Sequence, residues 1–331
     1  MKRLVEVIRR IAERVKRRER EAGVRELRET FSDWLLLRMW LACAVENWSF
    51  SILYAKLPSD GGWIREKWQL PNRLPSRSQA YERLRREGFE RRRRMFFEEC
   101  ARESIRLSTE EETQVAAIDL TALDASYHDS GAGGGHSSEK WTFWGYKLGL
   151  VVIRSGAPIA FRLMKARWTE GTYSRPMIRE GKQRLARAGR LKGLKYVTAD
   201  KGFDAEKNFR EVARGCGARM VCPGKKRRFK RRVKNPEVRR RALKLHPYRT
   251  RALNFYRTPT GKRIYRARTV VEQINSQLKG SIFGIGHFPP HVRGLRRVGA
   301  WCLGKLTYFN LAFCAKRLQG RSDRSLREFA A

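Results

Sequence analysis

Hydrophobic spacing divides the chain into a helical N-terminal part and a later part where strands and helices alternate. Residues 1 to 22 place Leu4, Ile8, Ile11 and Val15 on one side of a basic segment. This predicts a helix that lies on DNA, pairs with a partner helix, or packs lightly on the rest of the protein. From Phe31 to Leu57, the density of Trp34, Leu36, Trp40, Leu41, Trp48, Phe50 and Tyr54 predicts one or two buried helices, ended by Pro58-Ser-Asp-Gly-Gly62. Ser76 then caps a basic helix running to Arg86, and another follows from Phe89 to Leu107. That pair reads either as a helix-turn-helix presenting Arg77, Gln79, Arg83 and Arg86 to a groove, or as a basic structural hairpin.

Beyond Ser108 the pattern becomes β-rich. Val115 to Leu120 is a strand, and Tyr146 to Ile153 with Ala157 to Met164 form a hairpin. Helix Pro176 to Ala188, strand Lys195 to Ala199, helix Ala205 to Arg214 and strand Ala218 to Cys222 follow. The expected fold is α/β, a mixed five-stranded sheet with flanking helices, preceded by an all-α N-terminal region. Ser130-Gly-Ala-Gly-Gly-Gly-His136 reads as a mobile loop, because it neither follows a strand directly nor opens a helix as a dinucleotide fingerprint would. The basic stretch Lys225 to Lys262 is a partly helical insertion that contacts DNA and is mobile when unbound, or else a disordered linker. The apolar helix Val298 to Leu318 is expected to close the domain. The resulting division is 1–57, basic and apolar helices; 58–110, the possible helix-turn-helix; 111–318, the α/β domain with its 225–262 insertion; and 319–331, a frayed tail.

The polar residues of Tyr265 to Lys279 carry the chemistry. Tyr265, Arg268, Glu272 and Lys279 stand three, four and seven residues apart. On an ideal helix they share an arc of roughly 60°. Val271, Ile274, Leu278 and Ile282 occupy the adjoining arc. The result is a carboxylate flanked by cations, an arrangement suited to a metal and a phosphate. Two further carboxylates end predicted strands, Asp119 in Ala-Ile-Asp-Leu and Asp200 in Thr-Ala-Asp-Lys-Gly-Phe-Asp. Three acidic side chains from two strands and a helix supply the hard oxygen ligands that two-metal phosphoryl transfer requires. Asp124 and Asp129 compete with Asp119 for the first position but fall beyond its strand.

Composition sharpens the partner. The formal net charge is +41, from 74 Lys and Arg against 33 Asp and Glu, and the basic residues are spread through every segment. A polyanion follows, with double-stranded DNA ahead of a membrane surface. Six scattered cysteines make no zinc-ligand spacing and read as buried thiols, and His128, His136, His246, His287 and His291 have no metal spacing. The absence of a signal peptide or membrane span predicts a cytoplasmic, nucleoid-associated protein with no small-molecule cofactor.

With these residues in place, the chain resembles the DDE transposases of prokaryotic insertion sequences, in particular the insertion-sequence-four superfamily. Tyr265, Arg268, Glu272 and Lys279 match its Tyr-x2-Arg-x3-Glu-x6-Lys signature without a gap. Ala117-Ile-Asp-Leu-Thr and Ala199-Asp-Lys-Gly-Phe-Asp204 are similar to its two aspartate motifs, and Lys140-Trp141 through Trp144-Gly-Tyr-Lys-Leu148 to the strand between them. The likeness covers about residues 111 to 315. It implies an RNase H-like catalytic domain in which Asp119, Asp200 and Glu272 are catalytic and bind two Mg²⁺, with Mn²⁺ able to substitute. It further implies that Tyr265, Arg268 and Lys279, with Lys201 and Lys147, hold DNA, and that a homodimer spans two element ends. The function expected is binding of terminal repeats followed by strand cleavage and 3′-hydroxyl strand transfer. An inactive DNA-binding relative and a structure-specific nuclease are the alternatives.

Overall fold

The computed structural model describes residues 2–22, 31–59, 62–136, 142–168, 170–190, 193–225, 237, 240, 246–280, 283–286 and 288–326. In chain order the helices α1 (Lys2–Glu21), α2 (Asp33–Glu46), α3 (Phe50–Lys56), α4 (Trp63–Trp68), α5 (Arg77–Arg85), α6 (Glu87–Arg106) and α7 (Glu110–Thr113) come first. Strands β1 (Val115–Asp124), β2 (Gly133–Gly135), β3 (Phe143–Ile153) and β4 (Pro158–Lys165) follow. Then come α8 (Glu170–Arg187), β5 (Tyr196–Ala199), α9 (Glu206–Arg210), β6 (Arg219–Val221), α10 (Pro247–Arg257), α11 (Pro259–Tyr265), α12 (Thr269–Lys279) and α13 (Leu295–Arg317). The chain forms two compact units, one of residues 1–104, 128–131 and 277–331, the other of residues 105–127 and 132–276.

The first unit is helical. Its α13 is buried on every side between Val298 and Lys316 and packs against α1 and α2. The approach to α2 is close enough that a Cβ on Gly304 would stand 2.5 Å from Ala44 Cβ. Lys305, 1% exposed, donates from Nζ to the carbonyl of Val45 at 3.0 Å, and burial pushes its pKa down to about 7. The grouping of α13 with residues 1–104 differs from the expectation that it closes the α/β domain. A helix apolar all round satisfies any sufficiently large core, and its periodicity does not choose one. The basic helix α1 is also firmly seated. Leu4, Val7, Ile11 and Val15 are buried, with Val7 in the place expected of Ile8. Ion pairs from Arg18 to Glu99 (2.7 Å) and from Arg92 to Glu19 (2.8 Å) tie it to α6, so it is not a free basic arm.

The second unit carries a six-stranded sheet in the order β2-β3-β1-β5-β6, with β4 also on β3. β1 runs parallel to β5 (Ile118 opposite Ala199) and antiparallel to β3 (Asp119 opposite Leu150); β5 and β6 are parallel. The sheet therefore has one strand more than expected. The glycine-rich stretch is not a mobile loop over Gly133–Gly135, which pairs with Gly145, Trp144 and Phe143 along the edge of β3. Glycine is required there: a Cβ on Gly145 would lie 2.1 Å from the carbonyl of Leu123, and one on Gly135 would lie 2.6 Å from Ala166 Cβ. β1 extends four residues past its expected end at Leu120, bringing Asp124 into the ladder.

Part of the basic insertion is ordered. Arg249 on α10 forms a fork to Asp204, Nε to Oδ1 at 2.5 Å and Nη2 to Oδ2 at 2.8 Å, while Glu206 accepts from the Arg249 backbone N–H. Phe255 stacks on Tyr196 at 5.7 Å and Arg219 covers its ring at 4.4 Å, which docks α10 on the β5–β6 side of the sheet. Residues 247–257 are thus neither linker nor free arm; residues 226–236, which hold the densest basic run, lie outside the described residues. Lys140, Trp141, Ile282 and His287, which entered the sequence reading, also lie outside them. Among the described residues no helix is long and apolar enough to cross a membrane, and the six cysteines are free and buried.

Asp204 is 1% exposed at its side chain, so removing its partner strands a buried charge. Arg249→Met is expected to destabilise the second unit by about 2–3 kcal/mol, read as an earlier transition in urea unfolding. An unchanged midpoint would rule out Arg249 as the anchor of α10.

Candidate active site

Two parallel strands bring the first two carboxylates together. Ile118 on β1 is in register with Ala199 at the end of β5, so Asp119 and Asp200 occupy the next position along the same pair of strands. Asp200 leaves the strand in extended backbone and caps the tight turn Lys201–Phe203, its carboxylate accepting from the Gly202 N–H. Cys222 donates its thiol to the Asp200 carbonyl at 2.9 Å, holding the chain as it leaves the sheet.

Glu272 arrives from α12, whose apolar side buries Val271, Ile274 and Leu278 as its spacing predicts. The Tyr265 to Lys279 segment, however, is not one continuous α-helix. α11 ends at Tyr265, a 3₁₀ turn spans Arg266–Arg268, and α12 begins at Thr269. Two local bonds fit this break. The Thr269 hydroxyl donates to the Arg266 carbonyl at 2.8 Å, and Thr258 caps α11 by accepting from Gly261 N–H at 3.0 Å. The single arc expected for the four signature residues is therefore interrupted between Tyr265 and Arg268, while Glu272 and Lys279 keep helical spacing.

Arg268 is the cation of the site. It pairs with Glu272 at 2.7 Å, and its Nε is buried without an acceptor. Burial works to lower its pKa, but Asp119, Tyr265, Glu272 and Asp200 together raise it. Burial pushes Asp119 up to about 6; Arg268 and the Leu120 N–H oppose this, and the nearby Asp200 and Glu272 add to it. The same interactions place Asp200 and Glu272 within electrostatic reach of Asp119. Tyr265, raised first by burial, stands edge-on to Tyr256 at 5.2 Å and feels Arg268 and Asp200.

Asn275 escaped the sequence reading. Its Nδ2 donates to Asp119 Oδ2 at 3.2 Å, and its Oδ1 is buried with no partner. The available signal was its position, three residues after Glu272 and hence on the same helical face. Asp204, inside the second aspartate motif, was likewise passed over; its side chain serves Arg249 and the Lys225 N–H.

The other expected site residues are dispersed. Lys201 is exposed beside Asp200, and Lys147 on β3 reaches the Trp168 carbonyl at 3.5 Å. Lys279 closes α12 and belongs to the first unit, as do Arg77 and Arg83. Arg77 is exposed on the first turn of α5. Arg83 is committed to Asp33 and the Phe31 carbonyl and holds the first unit together instead of facing a groove. Asp124 is exposed at the end of β1, and Asp129, 3% exposed, accepts from Gly294 N–H at 3.0 Å, so neither replaces Asp119.

Among the described residues, no three His, Cys, Asp or Glu side chains stand close enough to hold a metal ion. The chemistry of the donor set nonetheless fits a hard divalent cation: a buried carboxylate with a raised pKa, two further carboxylates that act on it electrostatically, and an amide oxygen lacking a donor.

Residues 110–311, more than half of the chain, match the family described as Transposase DDE domain. The chain belongs to that family. No curated protein matches it. A Drosophila P element transposase strand transfer complex aligns with 99% of this chain and 86% of its own, at 11% identity and a TM-score of 0.23, too low to bear on the fold. For the transposase chain, an α/β unit and a separate helical one are consistent with membership, and the matched span includes Asp119, Asp200 and Glu272.

In the metal-free transposase, Asp119 is expected to titrate near pH 6 by carboxyl NMR. Arg268→Ala removes a cation that stabilises the ionised form, and Asn275→Leu removes a donor to it, so each should move the titration further up. A downward shift in either would contradict the arrangement described.

Proposed function

We propose that this chain is an RNase H-like DDE transposase of the insertion-sequence-four type, which binds the terminal repeats of its element and performs cleavage and strand transfer at one site. The observation that carries the reading is the convergence of Asp119 and Asp200, which follow the last pair of the parallel β1–β5 ladder, with Glu272 on a helix that also presents Arg268. The strand order, with β1, β5 and β6 parallel and β3 reversed, supports the RNase H-like assignment. The net charge of +41 supports double-stranded DNA as substrate.

Asp119, Asp200 and Glu272 would hold two divalent ions, Mg²⁺ or Mn²⁺. When bound, such ions lower the pKa of an attacking water and neutralise charge on the leaving 3′-oxygen. Asp119 must be ionised to serve as a ligand, and Asn275 orients it by donating to Oδ2. Arg268 must release Glu272, and its guanidinium is then available to a DNA phosphate. Tyr265, Lys279, Lys201 and Lys147 would hold the DNA end, and two copies would pair two ends, as the resemblance implies. The 3′-hydroxyl freed by cleavage becomes the nucleophile for joining, so the same groups act twice. The cytoplasm, at the nucleoid, is the expected location.

The Arg268–Glu272 ion pair favours a second reading, a DNA-binding relative in which the pair is permanent and catalysis is lost. Strand cleavage and joining on a duplex bearing the element ends, with Mg²⁺ and with Glu272→Gln as the control, separates the two. Joined product from the wild type alone supports the transposase; tight binding without cleavage in both supports the inactive relative; end-independent nicking indicates a nuclease.

The two kinds of site residue should also separate. Asp200→Ala is expected to abolish cleavage with DNA binding nearly unchanged. Arg268→Ala should weaken binding and reduce the slope of log K against log salt by about one. Equal loss of binding in both variants would refute this division of roles.

A further inference from the structure

Residues 238–271 contain no aspartate or glutamate, although lysine and arginine recur throughout them. Their later part, α10, α11 and the 3₁₀ turn, leads directly into the helix that carries Glu272. Two of its arginines are used within the unit, Arg249 by Asp204 and Arg268 by Glu272. Lys262, Arg263 and Arg266 are different. All three are exposed, and none has an ion pair or a side-chain hydrogen bond among the described residues. Other arginines at the surface of the second unit find carboxylates: Arg154 pairs with Glu111 at 2.7 Å, Arg179 with Glu211 at 2.7 Å and Arg190 with Glu110 at 2.8 Å.

The three cations stand on a rigid support. α11 packs against β5 and β6, and it crosses α10 so closely that a Cβ on Gly261 would lie 2.0 Å from the Phe255 carbonyl oxygen. Tyr256 on α10 meets Tyr265 at the end of α11 edge-on at 5.2 Å. Lys262 and Arg266 are four residues apart, about 6 Å along a helix. Arg266 precedes by two residues Arg268, which interacts electrostatically with Asp119 and Asp200. The cationic run therefore ends at the carboxylates. Like charges this close repel one another, and a ligand bearing several negative groups in a row relieves that repulsion.

We propose that Lys262, Arg263 and Arg266 hold the sugar-phosphate backbone of the target duplex, the DNA that the freed 3′-hydroxyl attacks. The proposal rests on the transposase reading, in which Tyr265 and Arg268 hold the element end and a second duplex must reach the same carboxylates for joining. α11 and the turn after it carry no Asn, Gln, Asp or Glu, the side chains that pair with adenine and cytosine edges. Their cations offer contacts to phosphates, which fix position without reading sequence. A target can be held this way at any sequence, whereas terminal repeats must be told apart from other DNA.

The test compares the full chain carrying Lys262→Gln, Arg263→Gln and Arg266→Gln together with a control carrying Arg154→Gln, Arg190→Gln and Lys195→Gln. The control removes the same charge where the β1–β5 ladder begins, at the end away from Asp119 and Asp200. Fluorescence anisotropy with a random-sequence duplex in EDTA gives the slope of log K against log salt. The α11 variant should lower that slope by about two to three, and the control by less than about one. In the cleavage and joining assay with Mg²⁺ and a separate target duplex, the ratio of joined to cleaved product should fall roughly tenfold in the α11 variant alone. The double variant Lys262→Gln with Arg263→Gln leaves the 3₁₀ turn untouched and carries both measurements should the triple variant melt early. An equal change of slope in variant and control, or no change in either, would overturn the proposal, because the charge would then act globally or not at all. A parallel loss of cleavage and joining would refute it by placing the element end on α11. A wild type that binds the duplex but neither cleaves nor joins removes the transposase reading, and the proposal falls with it.

Discussion

Negative charge gathered where the parallel β1–β5 ladder ends is the constraint around which the α/β unit is arranged. Asp119 and Asp200 follow an in-register pair of hydrophobic residues, Ile118 and Ala199, so neither can move away without unpairing the strands. Glu272 adds a third carboxylate, and burial together with these neighbours raises the cost of keeping Asp119 ionised. Arg268 offsets that cost in the protein alone, pairing with Glu272 and acting on both aspartates. The 3₁₀ turn through Arg266–Arg268 and the caps beside it place that one guanidinium. A site of this kind is poised for a ligand of higher charge, because added cations relieve repulsion that the fold maintains.

The large excess of arginine has two uses, which composition alone merges. Arg18, Arg83, Arg92 and Arg249 have carboxylate partners and hold helices in place. Their planar forks satisfy several acceptors at once, and this allows guanidinium groups to enter cores that would reject an unpaired charge. Arg93 is the exception: buried, stacked on rings and without an ion-pair partner among the described residues. The net charge therefore reports a polyanionic partner without saying which arginines touch it. Arg83 had the sequence context of a DNA contact and turns out to bind Asp33.

Much of the second unit was legible because its signals are local. Alternating apolar residues gave β1, β3, β4, β5 and β6 to within a few residues, and the i, i+3, i+4 spacing of Val271, Ile274 and Leu278 gave the buried face of α12. The carboxylate trio was legible for the same reason, since a strand end and a helix face are positions a spacing can mark. What escaped was set by contacts distant in sequence. Gly133–Gly135 joins the sheet by pairing with Phe143, Trp144 and Gly145, with Ala166 leaving space only for glycine at Gly135, and α10 is ordered by Asp204, Glu206 and Tyr196. Asn275 carries no marked periodicity, and its place beside Asp119 depends on α12 reaching β1.

The sequence by itself determined the types of most elements, the spacing of acidic and basic residues around Glu272, and the excess of positive charge. Those properties follow from residue spacing and charge, which exist before folding. The tertiary structure alone decided which core received α13, which arginines were consumed as ion pairs, and which buried donors were left without acceptors. Such outcomes depend on pairing between residues up to hundreds of positions apart, where the free energy of burial selects one partner among many chemically equivalent ones.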